Sequence, residues 1–447
     1  MKYLNHIKLA AVLIIFSLFA TSCEKDFPNP NNPTEDIIFN TKDGLFALSV
    51  GMNQYYTTTA YRQVIEAPGI TTRELGVTNT FLNINDLARG GAELEGISGG
   101  ITNPWVSLLR AKGMAESLIA NVDNAEMATE TRNSVLAYAN FYKAMCLGHL
   151  IQMYEQAPID NSADGAAEFS DRATVLSACV ALLSDARDAI PNGVSDDFRA
   201  SVLGPDRNLL NSINAFHSRY QLMAGNYSES ITSADAVLNT GDSPSMFAYD
   251  PNNVNPVWAR VNPDATDLKP QTNFGLLDPY LPEDGDGRIG FYLGDSLGFA
   301  LPDAGGQAIS QARGFWVAST SSLPIYLQGE LMLNKAEAYA RDGKLDDAVT
   351  ELNKVRMKTD DPLGVNANLP AWDGDAGSQA AILEEIYKNR AIEMFLTGTR
   401  LEHSRRFHPD FNVPQDANTT NERNRNYYPY PTIERENNPN TPPDPTI

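Results

Sequence analysis

The apolar positions between residues 331 and 355 fall at helical spacing twice over. Leu331, Leu333, Ala336, Ala338 and Tyr339 make one stripe; Leu345, Ala348, Val349, Leu352 and Val355 make the next. Recurrence at three and four residues places such side chains on one face of an amphipathic helix. Gly343-Lys344 stands between the stripes, where glycine accepts the left-handed backbone that ends a helix. The same reading predicts helices over 42–58, 104–121, 128–153, 170–190, 209–222, 227–238, 324–341, 345–358 and 379–397. Two blocks break the pattern. Residues 69–103 are rich in Thr, Asn and Gly, and residues 241–323 in Pro, Gly, Asn and Asp. A segment as long as the second must carry function or its own structure. The Pro-rich stretch 424–447 is expected to wrap the surface.

The helix pair at 331–355 has a counterpart. Residues 215–234 read AFHSRYQLMAGNYSESITSA, and residues 330–352 read ELMLNKAEAYARDGKLDDAVTEL. Setting Gly225 over Gly343 places Tyr227 over Leu345, Ser230 over Ala348 and Ala234 over Leu352. Helix, glycine turn, bulky residue and then small residues at the crossing is the tetratricopeptide shape. The copies are not in tandem, so insertions are expected between them. The fold class is therefore mainly α: a tetratricopeptide-like helical-pair scaffold with a long loop-rich insertion. Gly343 is expected to turn between packed helices, with Ala336 and Ala348 buried where they cross.

The N-terminus has a different pattern. Lys2 and Lys8 precede an apolar run, Leu9 to Ala20, broken only by Ser17. The run is of signal-peptide length and too short to span a bilayer. Ala20-Thr21-Ser22 then leads to Cys23, which resembles a lipobox with Ala in place of the usual Leu. Residues 1–22 are read as a lipoprotein signal peptide, and Cys23 as the acylated first residue of the mature chain. Residues 23–40, with Glu24-Lys25-Asp26-Phe27-Pro28-Asn29-Pro30, read as a flexible tether. Residues 41–447 read as a single domain.

The formal charge is −22. Residues 1–22 hold two lysines and no acid, so the mature chain stands at −24. That balance disfavours nucleic acid and anionic lipid surfaces as partners. Cys146 and Cys179 fall in predicted helices; a disulfide between them is open from sequence, with buried free thiols the expectation.

Six stretches together resemble the SusD/RagB-like family of nutrient-binding outer-membrane lipoproteins of Bacteroidetes. They are the lipobox and acidic tether at Cys23, the Trp-led WVSLLRAKGMAESLIAN at Trp105, and AYANFYKAMCLGHLIQMYEQAP at Ala137. The others are the Ala-Glu-Ala-Tyr-Ala-Arg block within 331–356, the block 382–406, and YYPYPTIERENNPNTP at Tyr427. In the block 382–406 Arg400 keeps the family pattern, whereas Leu401 and His403 stand where Trp and Asp are usual. The resemblance implies a non-catalytic, cofactor-free lid over a SusC-like TonB-dependent transporter, held at the outer-membrane surface by lipid. Its ligand would be an oligosaccharide or, in some members, a peptide. A surface protein-interaction scaffold or peptide-binding lipoprotein on the same helices is the alternative.

The residues themselves show no catalytic signature. His403 and His408 lack the close third ligand a metal needs, while His149 and His217 read as structural. Glu283, Asp284 and Asp286 fail the calcium-loop register, since its first and twelfth places fall on Pro282 and Leu293. An acidic turn with Arg288 paired locally explains them better. Binding of a sugar needs an aromatic platform with amide, carboxylate or guanidinium groups at its edge. The candidates are Trp316, Trp258 and Tyr280, with Phe274, in the insertion, and Phe81, Asn83, Asn85, Asp86 and Arg89 in the earlier block. Trp316 and Trp258 rank first, because Trp offers the largest face. An open groove lined from both blocks is expected, with at least one of Trp258, Tyr280, Trp316 and Phe81 exposing its ring. Trp105 is expected in the core, and Trp372 on a loop facing solvent or transporter.

Overall fold

The computed structural model describes residues 35–262, 267–296 and 306–447. Cys23 and the signal segment lie outside them. The two predicted helix pairs are present as Leu209–Met223 with Tyr227–Leu238, and Gln328–Arg341 with Leu345–Arg356. They turn identically. Gly225 (φ 82°) and Gly343 (φ 77°) are left-handed. Gly225 N–H donates to Leu222 O and Asn226 N–H to Gln221 O; Gly343 N–H donates to Ala340 O and Lys344 N–H to Tyr339 O. These paired bonds satisfy carbonyls that a helix end leaves open. Ala336 and Ala348 are fully buried at the crossing. In the first pair Ser230, the counterpart of Ala348, bonds to the Ser218 carbonyl at 2.8 Å.

Thr129–Met153 and Arg172–Ala189 form a further pair. Cys146 and Cys179 are free and buried within it. His149 and His217 are structural, as expected. His149 bonds to the Tyr56 hydroxyl at 2.9 Å, and His217 to Ser233 at 2.7 Å and Ser184 at 3.1 Å.

The first predicted helix runs further than the sequence suggested. Lys42–Tyr55 continues through a π turn, Tyr56–Ala60, into Tyr61–Thr71. Pro68 lies in the final turn, where its carbonyl still accepts the Thr72 N–H at 2.9 Å. Burial of Tyr61, Val64, Ile65, Ala67 and Ile70 outweighs the local propensity cost. Block 69–103 is likewise less loop-like than expected. It holds the helix Leu82–Arg89 and the start of Gly99–Asn121, which Ser98 caps. The predicted helix 379–397 ends earlier, at Glu393, and is followed by Arg400–Phe407.

The long insertion leaves and re-enters the scaffold at one place, where Met246–Phe247 pairs antiparallel with Leu323–Pro324. Its acidic turn is anchored inward. Asp286 pairs with Arg288 at 2.7 Å, as expected, but Arg288 is buried and also reaches Glu393 at 3.2 Å on the Gln379–Glu393 helix. The C-terminal stretch does more than wrap the surface. Tyr428 and Tyr430 are buried, the first bonding to Thr71 and the second accepting the Gln156 N–H.

Candidate ligand-binding face

The two irregular blocks meet in a short ribbon. Leu75–Val77 pairs antiparallel with Leu268–Pro270, Val77 opposite Leu268. Thr78 N–H extends the pairing to the Asp267 carbonyl at 2.9 Å. Beside the ribbon, Arg260 donates to Asp267 at 2.8 Å and to Glu66 at 3.0 Å, with Arg62 3.5 Å from Glu66. Burial pushes the Glu66 carboxyl up, against the pull of Arg62 and Arg260. These four charged residues, which lie at the joint of the blocks, were not legible from spacing because two helices and a strand end supply them.

Phe81 stands just past the ribbon at the N-terminus of Leu82–Arg89, with 60% of its surface exposed. Its turn is built from its neighbours. The Asn79 side chain accepts the Phe81 N–H at 2.9 Å, and the Asn85 amide donates to the carbonyls of Asn79 and Phe81 at 2.9 and 3.1 Å. Asn85 is thus a support for the ring. Asn83 is exposed, and Arg89 pairs with Glu93 at 2.9 Å. Leu82 and Ile97 project strongly too. A Cβ at Gly99, two residues after Ile97, would sit 3.7 Å from the Asn83 amide, which places this surface together.

The platform is held from below by the C-terminal chain. Asn424 donates to the carbonyls of Leu87 and Ala88, each at 2.8 Å. Asn418 N–H donates to Arg89 O and Ala92 N–H to Gln415 O. Gly90 and Gly91 have positive φ here, and a Cβ on Gly90 would lie 2.3 Å from the Asn424 side chain. Only glycine permits both the conformation and the approach.

The insertion aromatics divide. Trp258 opens the short helix Trp258–Val261, which also carries Arg260, and is half-buried. Trp316 is corrected: only 1% of it is exposed. Its ring stacks on Tyr292 at 5.7 Å and meets Phe395 edge-on at 6.0 Å, locking the insertion to the scaffold. Phe315 beside it is buried too, so the adjacent pair Phe315-Trp316 was the missed signal of a core. Phe274 is buried against Phe395. Tyr280 is half-buried at a different place, against Tyr387 and His408. The structure therefore brings Phe81, Asn83, Asn85 and Arg89 together, and buries Trp316 and sets Tyr280 against other partners. Trp105 is buried as expected, and Trp372 is partly buried.

Two surface clefts lie away from these residues. One of about 370 Å³ is lined by Glu130, Asn133 and residues 189–196, and one of about 320 Å³ by Arg110, Asn161, Glu434 and Asn438 among others. No described helix is long and apolar enough to cross a membrane.

Paired helices around one long insertion, with irregular blocks joined at an exposed aromatic face, define a SusD-like fold. Residues 317–443 match the sequence model of the SusD family. A SusD-like carbohydrate binding protein from Bacteroides vulgatus ATCC 8482 superposes with a TM-score of 0.70 at 15% identity, covering 90% of this chain and 97% of that one. A SusD superfamily protein from the same strain gives 0.68 at 16% identity over 89% and 98%. Another, from Bacteroides thetaiotaomicron VPI-5482, gives 0.68 at 15% identity over 91% and 100%. At such identity these likenesses concern the fold. No curated protein sequence matches the chain.

Proposed function

We propose that the protein is a cell-surface lipoprotein, anchored in the outer membrane through Cys23. In this reading it captures an oligosaccharide on the Phe81 face and delivers it to a SusC-like TonB-dependent transporter. The observation that carries the reading is the Phe81 ring, exposed on a turn that Asn79 and Asn85 hold rigid. An exposed aromatic on a fixed backbone gives a sugar an apolar face at little ordering cost, and Asn83 offers an amide at its edge. The solved carbohydrate-binding protein of the same fold supports the ligand class.

Leu82 and Ile97 favour a second reading, since aliphatic side chains suit a peptide or protein partner better than a sugar ring. A combined glycan and peptide array on residues 24–447 separates the two. Phe81→Ala is expected to weaken glycan binding by about 1–3 kcal/mol, and stability should change by less than about 0.5 kcal/mol, as for an exposed side chain. Undiminished affinity in both Phe81→Ala and Trp258→Ala would refute this assignment of the face.

A further inference from the structure

The segment from His408 to Asn424 has little regular structure, yet it underlies the Phe81 platform. Its two ends are tied to the scaffold differently. Gln415, Asn418 and Asn424 bond to the Leu82–Arg89 helix and the turn after it. Arg73 adds bonds to the carbonyls of Asn418 at 2.6 Å and Asn421 at 3.3 Å. The other tie is His408. Its Nδ1 lies 2.9 Å from the Glu422 carboxylate, and its Nε2 lies 3.1 Å from Glu384 on the Gln379–Glu393 helix.

That geometry selects one protonation state. A neutral imidazole carries a single N–H, so one ring nitrogen would turn a lone pair toward a carboxylate. The imidazolium donates from both. The surrounding groups agree with it. Glu422 also accepts from the Tyr387 hydroxyl at 2.6 Å and from Ser404. Arg423 lies 3.7 Å from Glu422 and donates to the His408 carbonyl at 2.9 Å. The rings of Tyr387 and Tyr280 pack on the imidazole at 4.4 and 5.4 Å, and Arg400 covers the Tyr387 ring. Both tyrosines stay neutral, because burial pushes their hydroxyls well up. Burial alone would depress His408. The two carboxylates outweigh it and hold the imidazole above its usual value.

We propose that His408 is a proton-operated clasp: its imidazolium joins Glu384 to Glu422, and its deprotonation breaks that join and loosens the 409–426 segment that supports the Phe81 platform. The sign follows from linkage. A histidine whose folded value is raised adds stability that is complete below 6.5 and lost as pH rises through the folded value. The clasp is closed in mildly acidic medium and loosens on the alkaline side. The link to ligand capture rests on the Phe81 reading; the clasp itself does not.

The test is amide hydrogen exchange on the soluble chain, residues 24–447, between pH 5.5 and 8.5, with each rate divided by its intrinsic rate at that pH. Protection across 409–426 is expected to fall severalfold with a midpoint above 6.5, while the 331–355 helices keep theirs. His408→Gln should remove the pH dependence. Glu384→Gln removes a partly exposed carboxylate and should move the midpoint down without unfolding the chain. An imidazole resonance of His408 that titrates at or below its free value would overturn the clasp. So would protection of 409–426 that is flat in the wild type. Glycan affinity measured across the same range separates the two ideas: a clasp that titrates while Phe81→Ala binds normally sinks the platform and leaves the clasp standing.

Discussion

Glu337 offers the sharpest test of how the scaffold is held. It sits on the Gln328–Arg341 helix with no surface exposed. Arg406 donates to it at 2.8 and 2.7 Å and Arg341 at 2.9 Å, and Arg390 lies 2.9 Å away. Burial alone would push this carboxyl up; Arg406, Arg390 and Arg341 overcome it and hold it down at about 2. Against the ordinary 4.5, at about 1.4 kcal/mol per pH unit, that depression is worth about 3 kcal/mol at neutral pH. Glu337→Gln removes the charge and keeps the shape. It leaves Arg390, already pushed down to about 10 by burial, beside two other guanidiniums. Breaking a buried ion pair from one side costs about 3–5 kcal/mol, so both routes give a similar figure. Urea unfolding at pH 7, followed by tryptophan fluorescence, should show that loss. The carboxylate's contribution is present above 4.5 and disappears as pH falls toward 2. The gap between wild type and variant should therefore shrink steadily in acid. A loss under about 1 kcal/mol at pH 7, against the 3–5 expected, would refute the reasoning, and so would a gap indifferent to pH.

Three further outcomes are expected. Trp316→Ala should cost about 3–5 kcal/mol of stability, as for a large core aromatic, whereas an exposed platform residue would leave unfolding unchanged. A Cβ on Gly148 would fall 2.0 Å from the Tyr220 hydroxyl. Gly148→Ala should thus destabilise by about 1–3 kcal/mol in the same urea assay, despite a helix-propensity gain of about 1 kcal/mol. Cys23→Ala should move the protein from the membrane to the soluble fraction; a variant that stays membrane-bound would refute the lipid anchor.

The helical pairs were legible because their information is local. Stripe spacing and a glycine at each turn suffice, and the Gly225 and Gly343 turns repeat bond for bond. The irregular blocks were less legible, because their composition reports turn chemistry and says nothing of burial. Pro68 and Gly69 look like a break, and only the core around Tyr61 and Ile70 shows why the helix passes through them. Trp316 illustrates the same limit. Its size recommended it as a platform, and the same size lets it fill the joint between insertion and scaffold.

Charge pairs were illegible for a more general reason. Glu337 and Arg341 stand four apart on an amphipathic helix, the usual sign of a solvent-facing pair. Here the polar face packs too. Arg390 comes from the Gln379–Glu393 helix and Arg406 from the Arg400–Phe407 helix, both laid across Glu337. In a layered helical scaffold an interior helix has neighbours on both sides, so its polar stripe becomes a buried ion lattice. Sequence shows the stripe and cannot show the second neighbour. His408 is the same case at the periphery. Glu384 and Glu422 lie 24 and 14 residues away and meet the imidazole only because the C-terminal chain folds back. The features most open to experiment are thus ones that periodicity cannot reach: charges gathered on one group from separate elements, where removing a single partner exposes the cost of the rest.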